Sequence, residues 1–173
     1  MTNTSNSANK KDLIFTRVFD APIEKVWAMW TEADKVKQWW GPDHFSCPLA
    51  DIDFREGGTS LVSMISRKLG FPEQCSIWRY TKIAPMKRIE YIHNLADKDG
   101  NKIDPASIGM PADFPQDLLN IVTFEDLGNG RTKLTVTEKD WPVGQMMEMS
   151  RMGEEQYLDK MAKALKKPLV KTT

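Results

Sequence analysis

The strongest constraint on this chain is its last long stretch, Gln145 to Lys166, where apolar residues recur at helical spacing. Laid out at about 100° per residue, Met146, Met147, Ser150, Tyr157, Leu158, Met161 and Leu165 share one broad face, with Gly153 and Ala164 at its edge. So wide an apolar face needs other elements to cover it. Glu154 breaks the pattern, pointing into the middle of the face where the period asks for an apolar side chain. A carboxylate there stands either at a wet rim or in a cavity that something polar also enters.

The preceding segments supply the cover. Leu13 to Asp20 alternates as a first strand. Pro22 then opens a helix, with Glu24 in its first turn and Ile23, Val26, Trp27 and Trp30 at i, i+3, i+4, i+7, the pattern of a helix lying on a sheet. Thr31-x-x-Asp34 resembles a capping box and predicts a second short helix ending at Trp39-Trp40, where Gly41-Pro42 stops it. From His44 the period changes to two. Strands are expected at His44 to Phe54, Ser60 to Lys68, Gln74 to Ile83 and Lys87 to Leu95. Leu118 to Asp126 and Arg131 to Lys139 flank Gly128-Asn129-Gly130, a hairpin signal because Asn-Gly tolerates positive φ. Between them, Asp97 to Asp117 has no period and five Gly or Pro residues, which suits a lid or binding loop. This order predicts an α+β fold, a curved antiparallel β-sheet wrapped around a long C-terminal helix, with two short helices after the first strand. A pocket between helix and sheet is the expected ligand site.

With 173 residues and 40% hydrophobic content, the chain fits one domain over residues 12–166, after a disordered lead-in at 1–11 and before a flexible tail at 167–173. Lys+Arg and Asp+Glu both number 24, so no net field favours nucleic acid or an acidic membrane. No apolar run approaches the roughly 18 residues of a membrane span, and no secretory h-region opens the chain, so the cytoplasm is the expected location. Cys47 and Cys75 lack C-x-x-C spacing and suit two buried free thiols, with a bridge between them left open.

Among single residues, Glu154 is either structural or a polar anchor or acid/base group; burial without a partner would raise its pKa. His93 shares a strand face with Ile89, Tyr91 and Leu95, either as a satisfied core histidine or as an acid/base partner of Glu154. The two histidines and two cysteines lack ligand spacing, so neither metal nor cofactor is expected. Trp27, Trp30, Trp39 and Trp40 have the spacing of core residues more than of a stacking platform. Met149 and Met152 lie off the main stripe and are expected to meet the loop or another subunit. Gly57-Gly58 leads into a strand and not a helix, so it is no phosphate loop, and no G-x-S-x-G elbow occurs.

Several blocks together resemble a known family. Phe19-x-Ala21-Pro22-x-x-x-Val26-Trp27, Trp39-Trp40-Gly41-Pro42-x-x-Phe45 and Asp53-x-Arg55-x-Gly57-Gly58 come first. Ile83-x-Pro85-x-x-Arg88, Val122-Thr123-Phe124, Gly130-x-Thr132-x-Leu134-x-Val136 and Gly153-x-x-x-x-Leu158-Asp159-x-Met161 follow. In this order they resemble the Aha1-type (activator of Hsp90 ATPase homologue 1-like) branch of the START/Bet v 1-like superfamily, over about Leu13 to Leu165. The resemblance implies a helix-grip fold with a cavity, often for hydrophobic molecules. It implies little chemistry, because that scaffold carries many functions. Members commonly have Gly-Trp in the last helix; with Gly153 on that glycine, Glu154 takes the tryptophan position.

The leading expectation is a binding protein for a small hydrophobic or amphipathic ligand. Its pocket is expected to be lined by Glu154, Tyr157, Met161, Met146 and Ser150 from the helix and Trp78, Tyr91 and His93 from the sheet. Met110 and Phe114 are the expected apolar contacts of the lid. One alternative is an enzyme with Glu154 and His93 as acid/base pair for a cyclisation, dehydration or isomerisation. Another is a chaperone-associated interaction module, and a homodimer is left open. Neither nucleic acid nor membrane insertion is expected.

Overall fold

The computed structural model describes residues 9–167. Residues 1–8 of the expected lead-in and 168–173 of the expected tail lie outside them. Seven antiparallel strands form one sheet in the order β1-β7-β6-β5-β4-β3-β2. They are β1 (Lys10–Phe19), β2 (Ala50–Asp51), β3 (Thr59–Ser66), β4 (Phe71–Ala84), β5 (Arg88–Ala96), β6 (Leu118–Gly128) and β7 (Arg131–Pro142). Helices α1 (Ile23–Thr31) and α2 (Ala33–Val36) follow β1, and α3 (Gln145–Leu165) ends the fold. Register shifts at Lys11/Leu13, Met64/Ser66, Tyr80/Lys82 and Asp126/Gly128 mark irregularities that bend the strands and curl the sheet. The result is the expected α+β helix-grip fold.

Local differences from expectation have local causes. β1 starts at Lys10, because Lys10 and Lys11 pair with Pro142 and Trp141 of β7, so two residues of the expected lead-in belong to the sheet. Pro22 is the N-cap of α1. Thr31 caps nothing: its hydroxyl donates back to the Trp27 carbonyl at 3.1 Å, and Glu32 precedes α2. The strand expected from His44 to Phe54 shrinks to Ala50–Asp51 plus a bridge from Ser46 to Ile65. Lys160 reaches across from α3, donating to the carbonyls of Gly41 and Phe45 at 2.7 and 3.2 Å, so a helix side chain takes the Phe45 carbonyl within the expected strand. In the β6–β7 hairpin, Asn129 and Gly130 both take positive φ, as Asn-Gly predicts.

The core lies between the sheet and the helices. Val26, Trp30, Trp39, Val122, Leu134, Val136, Leu158 and Met161 are all nearly inaccessible. Tryptophan fills much of it: Trp39 stacks on Trp78 at 6.2 Å, tilts against Trp30 at 4.6 Å, and donates Nε1–H to the Met29 carbonyl at 2.7 Å. These indoles are core, as their spacing implied. Cys47 and Cys75 are buried and free, and burial raises both thiol pKa values.

Candidate functional site

Beside this dry core the helix and sheet part. A recess of about 1090 Å³ opens between the amino-terminal half of α3, the inward face of β5 to β7, and the loop after β5. That is slightly above the range of about 300–1,000 Å³ usual for small-molecule sites. Strand parity decides which side chains reach it. Thr132, Leu134, Val136 and Glu138 alternate inward on β7, and Leu118, Asn120, Val122 and Phe124 do so on β6. Cross-strand register then aligns Tyr91, Asn120 and Glu138 in one row, with Tyr80 beyond Tyr91. A polar row thus crosses the concave face of an otherwise apolar sheet.

Two carboxyls dominate the recess. Glu138 and Glu154 are each 7% exposed. The Glu138 carboxylate accepts one hydrogen bond, from Trp141 Nε1–H at 2.7 Å. Glu154 has no hydrogen bond or ion pair within the described residues. Burial pushes the Glu138 pKa up to about 7, partly offset by the Trp141 hydrogen bond. Burial also carries Glu154 well above the ordinary carboxylate range, and the neighbouring charge of Glu138 pushes it further. Two buried like charges favour keeping a proton between them near neutrality. Tyr91 and Tyr157 border the same space; burial raises both phenols, and both carboxyl charges add to the shift.

Eight of the ten side chains expected at the pocket border the recess: Glu154, Tyr157, Met146, Ser150, Tyr91, His93, Met110 and Phe114. Trp78 and Met161 do not. Trp78 has the right parity but is covered by Trp39, Trp40 and Tyr91, leaving it 1% exposed. Met161, two turns beyond Glu154, has 0% exposure in the core. His93 is half-buried, with its ring 6.3 Å from that of Trp40, and desolvation lowers its pKa to about 4. It is therefore neutral at pH 7, and burial alone accounts for the shift. The neighbouring charges that raise Glu154 are those of Glu138 and Glu155. Glu138 is a second carboxyl at the recess, beyond those expected there, and strand parity on β7 could have found it.

The loop expected as a lid is ordered by its own polar groups. Asp97 accepts the Asp99 and Asn101 N–H groups at 2.9 Å, and Asp104 accepts Ala106 N–H at 3.0 Å at the start of a 3-10 turn, Pro105–Ile108. Asp117 closes the loop by pairing with Lys102 at 2.7 Å and Arg79 at 3.3 Å. Phe114 meets Trp141 edge-on at 6.1 Å, so the indole that holds Glu138 also carries the loop. Met149 is 57% and Met152 64% exposed; Met149 borders the recess and Met152 faces outward. No cluster of three or more His, Cys, Asp or Glu residues that could hold a metal occurs among the described residues, and none of their helices is long and apolar enough to cross a membrane.

Solved structures share this architecture. A protein of Chromobacterium violaceum is 21% identical with a TM-score of 0.73, covering 91% of this chain and 98% of its own. A protein of Staphylococcus epidermidis is 26% identical with a TM-score of 0.70, over 92% and 93% of the two chains. The AHSA1 protein of Silicibacter pomeroyi is 20% identical with a TM-score of 0.70, over 90% and 97%. No curated protein matches the sequence. Residues 20–166 match the family of activator of Hsp90 ATPase homolog 1-like proteins, on the START/Bet v 1-like scaffold, and the chain belongs to that family.

Proposed function

We propose that the chain is a small-molecule-binding protein, its ligand held between α3 and the sheet with an apolar body and a polar group directed at Glu154. One observation carries this reading: a buried, unpartnered carboxyl faces a recess of about 1090 Å³ whose wall is mostly apolar. A group so placed costs stability, and a ligand that satisfies it offsets that cost. The two free, buried cysteines suit a reducing compartment, so the reading assumes a cytoplasmic protein.

Native mass spectrometry of freshly purified protein, beside its denatured mass, tests the proposal. The expected result is a non-covalent adduct that vanishes on unfolding and is lost in Gly153→Trp. Gly153 borders the recess and a Cβ there meets nothing within 4 Å, so the added indole is aimed at occupying the ligand's space. An adduct retained in that variant places the ligand elsewhere.

The coupled carboxyl pair favours a second reading, acid/base catalysis in the same recess, because a carboxyl with a pKa near 7 suits proton transfer at neutral pH. It predicts that Glu154→Gln folds but loses turnover; retained turnover removes Glu154 from that role. The family's description supports a third, activation of a chaperone ATPase, which an unchanged Hsp90 ATPase rate in the presence of purified protein would refute.

A further inference from the structure

We infer that the recess selects an organic cation, its ammonium or amidinium group seated between the carboxyls of Glu138 and Glu154 and its apolar body lying against the aromatic and methionine wall. The inference rests on the small-molecule reading above and names the ligand's chemical class.

The two carboxyls come from different elements, β7 and α3, and both are more than nine-tenths buried. No Lys or Arg of the described residues bonds to either one, and the Trp141 N–H takes only one oxygen of Glu138. Aromatic rings border the same recess: Tyr91 on β5, Tyr157 one turn along α3, and Trp40, whose ring lies 5.2 Å from that of Tyr157. Carboxylates with aromatic faces are the combination that attracts a desolvated cation.

Other ligand classes fit less well. An anion would meet two buried acids. A neutral group with a single donor would satisfy one carboxyl and leave the other as it is in the free protein. A cation lets both ionise and removes the repulsion that otherwise holds a proton there. The remaining titratable groups do not oppose this. Glu155 adds negative charge along α3, His93 from β5 is neutral at pH 7, and the charged rim comprises Glu73, Asp97 and Lys98, one net negative charge.

Cation binding should therefore expel protons, and affinity should rise with pH until the ligand's own ammonium deprotonates. Titration calorimetry on the full-length protein tests this with primary amines of graded length, straight-chain and phenyl-substituted, beside alcohols and carboxylates of matched length. Measurements at about pH 6 and about pH 8 bracket the titration of Glu138. The best amine is expected to bind at least about tenfold tighter than its matched alcohol, the ratio a net gain of about 1.4 kcal/mol supplies. Heats measured in buffers of different ionisation enthalpy should show proton release. Glu154→Gln and Glu138→Gln should each erase the preference for amine over alcohol.

Equal binding of amine and alcohol, or preference for the carboxylate, overturns the cation inference and leaves the small-molecule reading standing. If no member of the series binds, both fall. Should the variants fail to fold, the wild-type proton balance decides: amine binding without proton release overturns the inference.

Discussion

The two halves of α3 present the same helical face to the same sheet and do opposite things with it. From Glu155 onward the helix is tied down: Leu158 and Met161 are sealed in the core, Lys160 holds the carbonyls of Gly41 and Phe45, and Arg17 of β1 clasps Glu155 and Asp159. Before Glu154 it borders open space. Within residues 145–154 the only side-chain hydrogen bond, from Arg151 to Glu148, stays on the helix. Gly153 and Ser150 there leave room where larger residues would fill it, and Glu154 stands at the join. One element thus supplies stability at one end and a chemically distinctive surface at the other.

Truncation should separate the halves most sharply. Leu158→Ala removes a fully buried side chain and is expected to cost about 2–5 kcal/mol in urea denaturation. Met146→Ala, at the half-buried wall of the recess, should cost under about 1.5 kcal/mol. Equal losses at the two positions would show that the recess is packed as tightly as the core.

The next effect is electrostatic. A carboxyl whose pKa rises from 4.5 in the unfolded chain to about 7 in the fold keeps its proton preferentially in the native state. Its penalty is absent below about pH 4.5 and grows as pH rises through about 7. Burial and the charge of Glu138 shift Glu154 in the same direction, so Glu154→Gln should be more stable than the parent at about pH 8 and no more stable at about pH 4. His93 has the opposite sign. Its pKa falls from 6.5 to about 4, so stability is complete above about pH 6.5 and declines as pH drops toward 4. His93→Asn should flatten that acid limb. Thermal melts of both variants across this range check the pair of signs, and a Glu154→Gln protein less stable at high pH would mean that the carboxylate has a cation partner.

The smallest expected effect is at the join itself. Gly153→Ala adds a Cβ that meets no atom within 4 Å, so helix propensity alone should raise stability by about 0.5–1 kcal/mol. A loss there would show that the glycine is needed by packing and not by the recess.

Much of this was legible in the chain. The change from helical to twofold period marked nearly every element, and the Asn129-Gly130 turn and the broad face of α3 were readable because local chemistry dictates them. Glu154 stood out because a charge on an apolar stripe violates a local pattern. Glu138 violates the same kind of rule on β7, where Thr132, Leu134 and Val136 set the inward parity, but flanking Thr and Lys residues make that strand polar enough to conceal it.

What the sequence by itself determined is therefore the set of elements, their faces and the family. Only the tertiary structure decided that Glu138, sixteen residues before α3's Glu154 and on a different element, would border the same recess. It likewise decided that Trp78 and Met161 would be covered, while Tyr91 and His93 on the neighbouring strand border open space. Period tells a side chain which way to point. Whether another element fills the volume it points into depends on sheet curvature, on register across β5, β6 and β7, and on the tilt of α3, all set by contacts between distant parts of the chain.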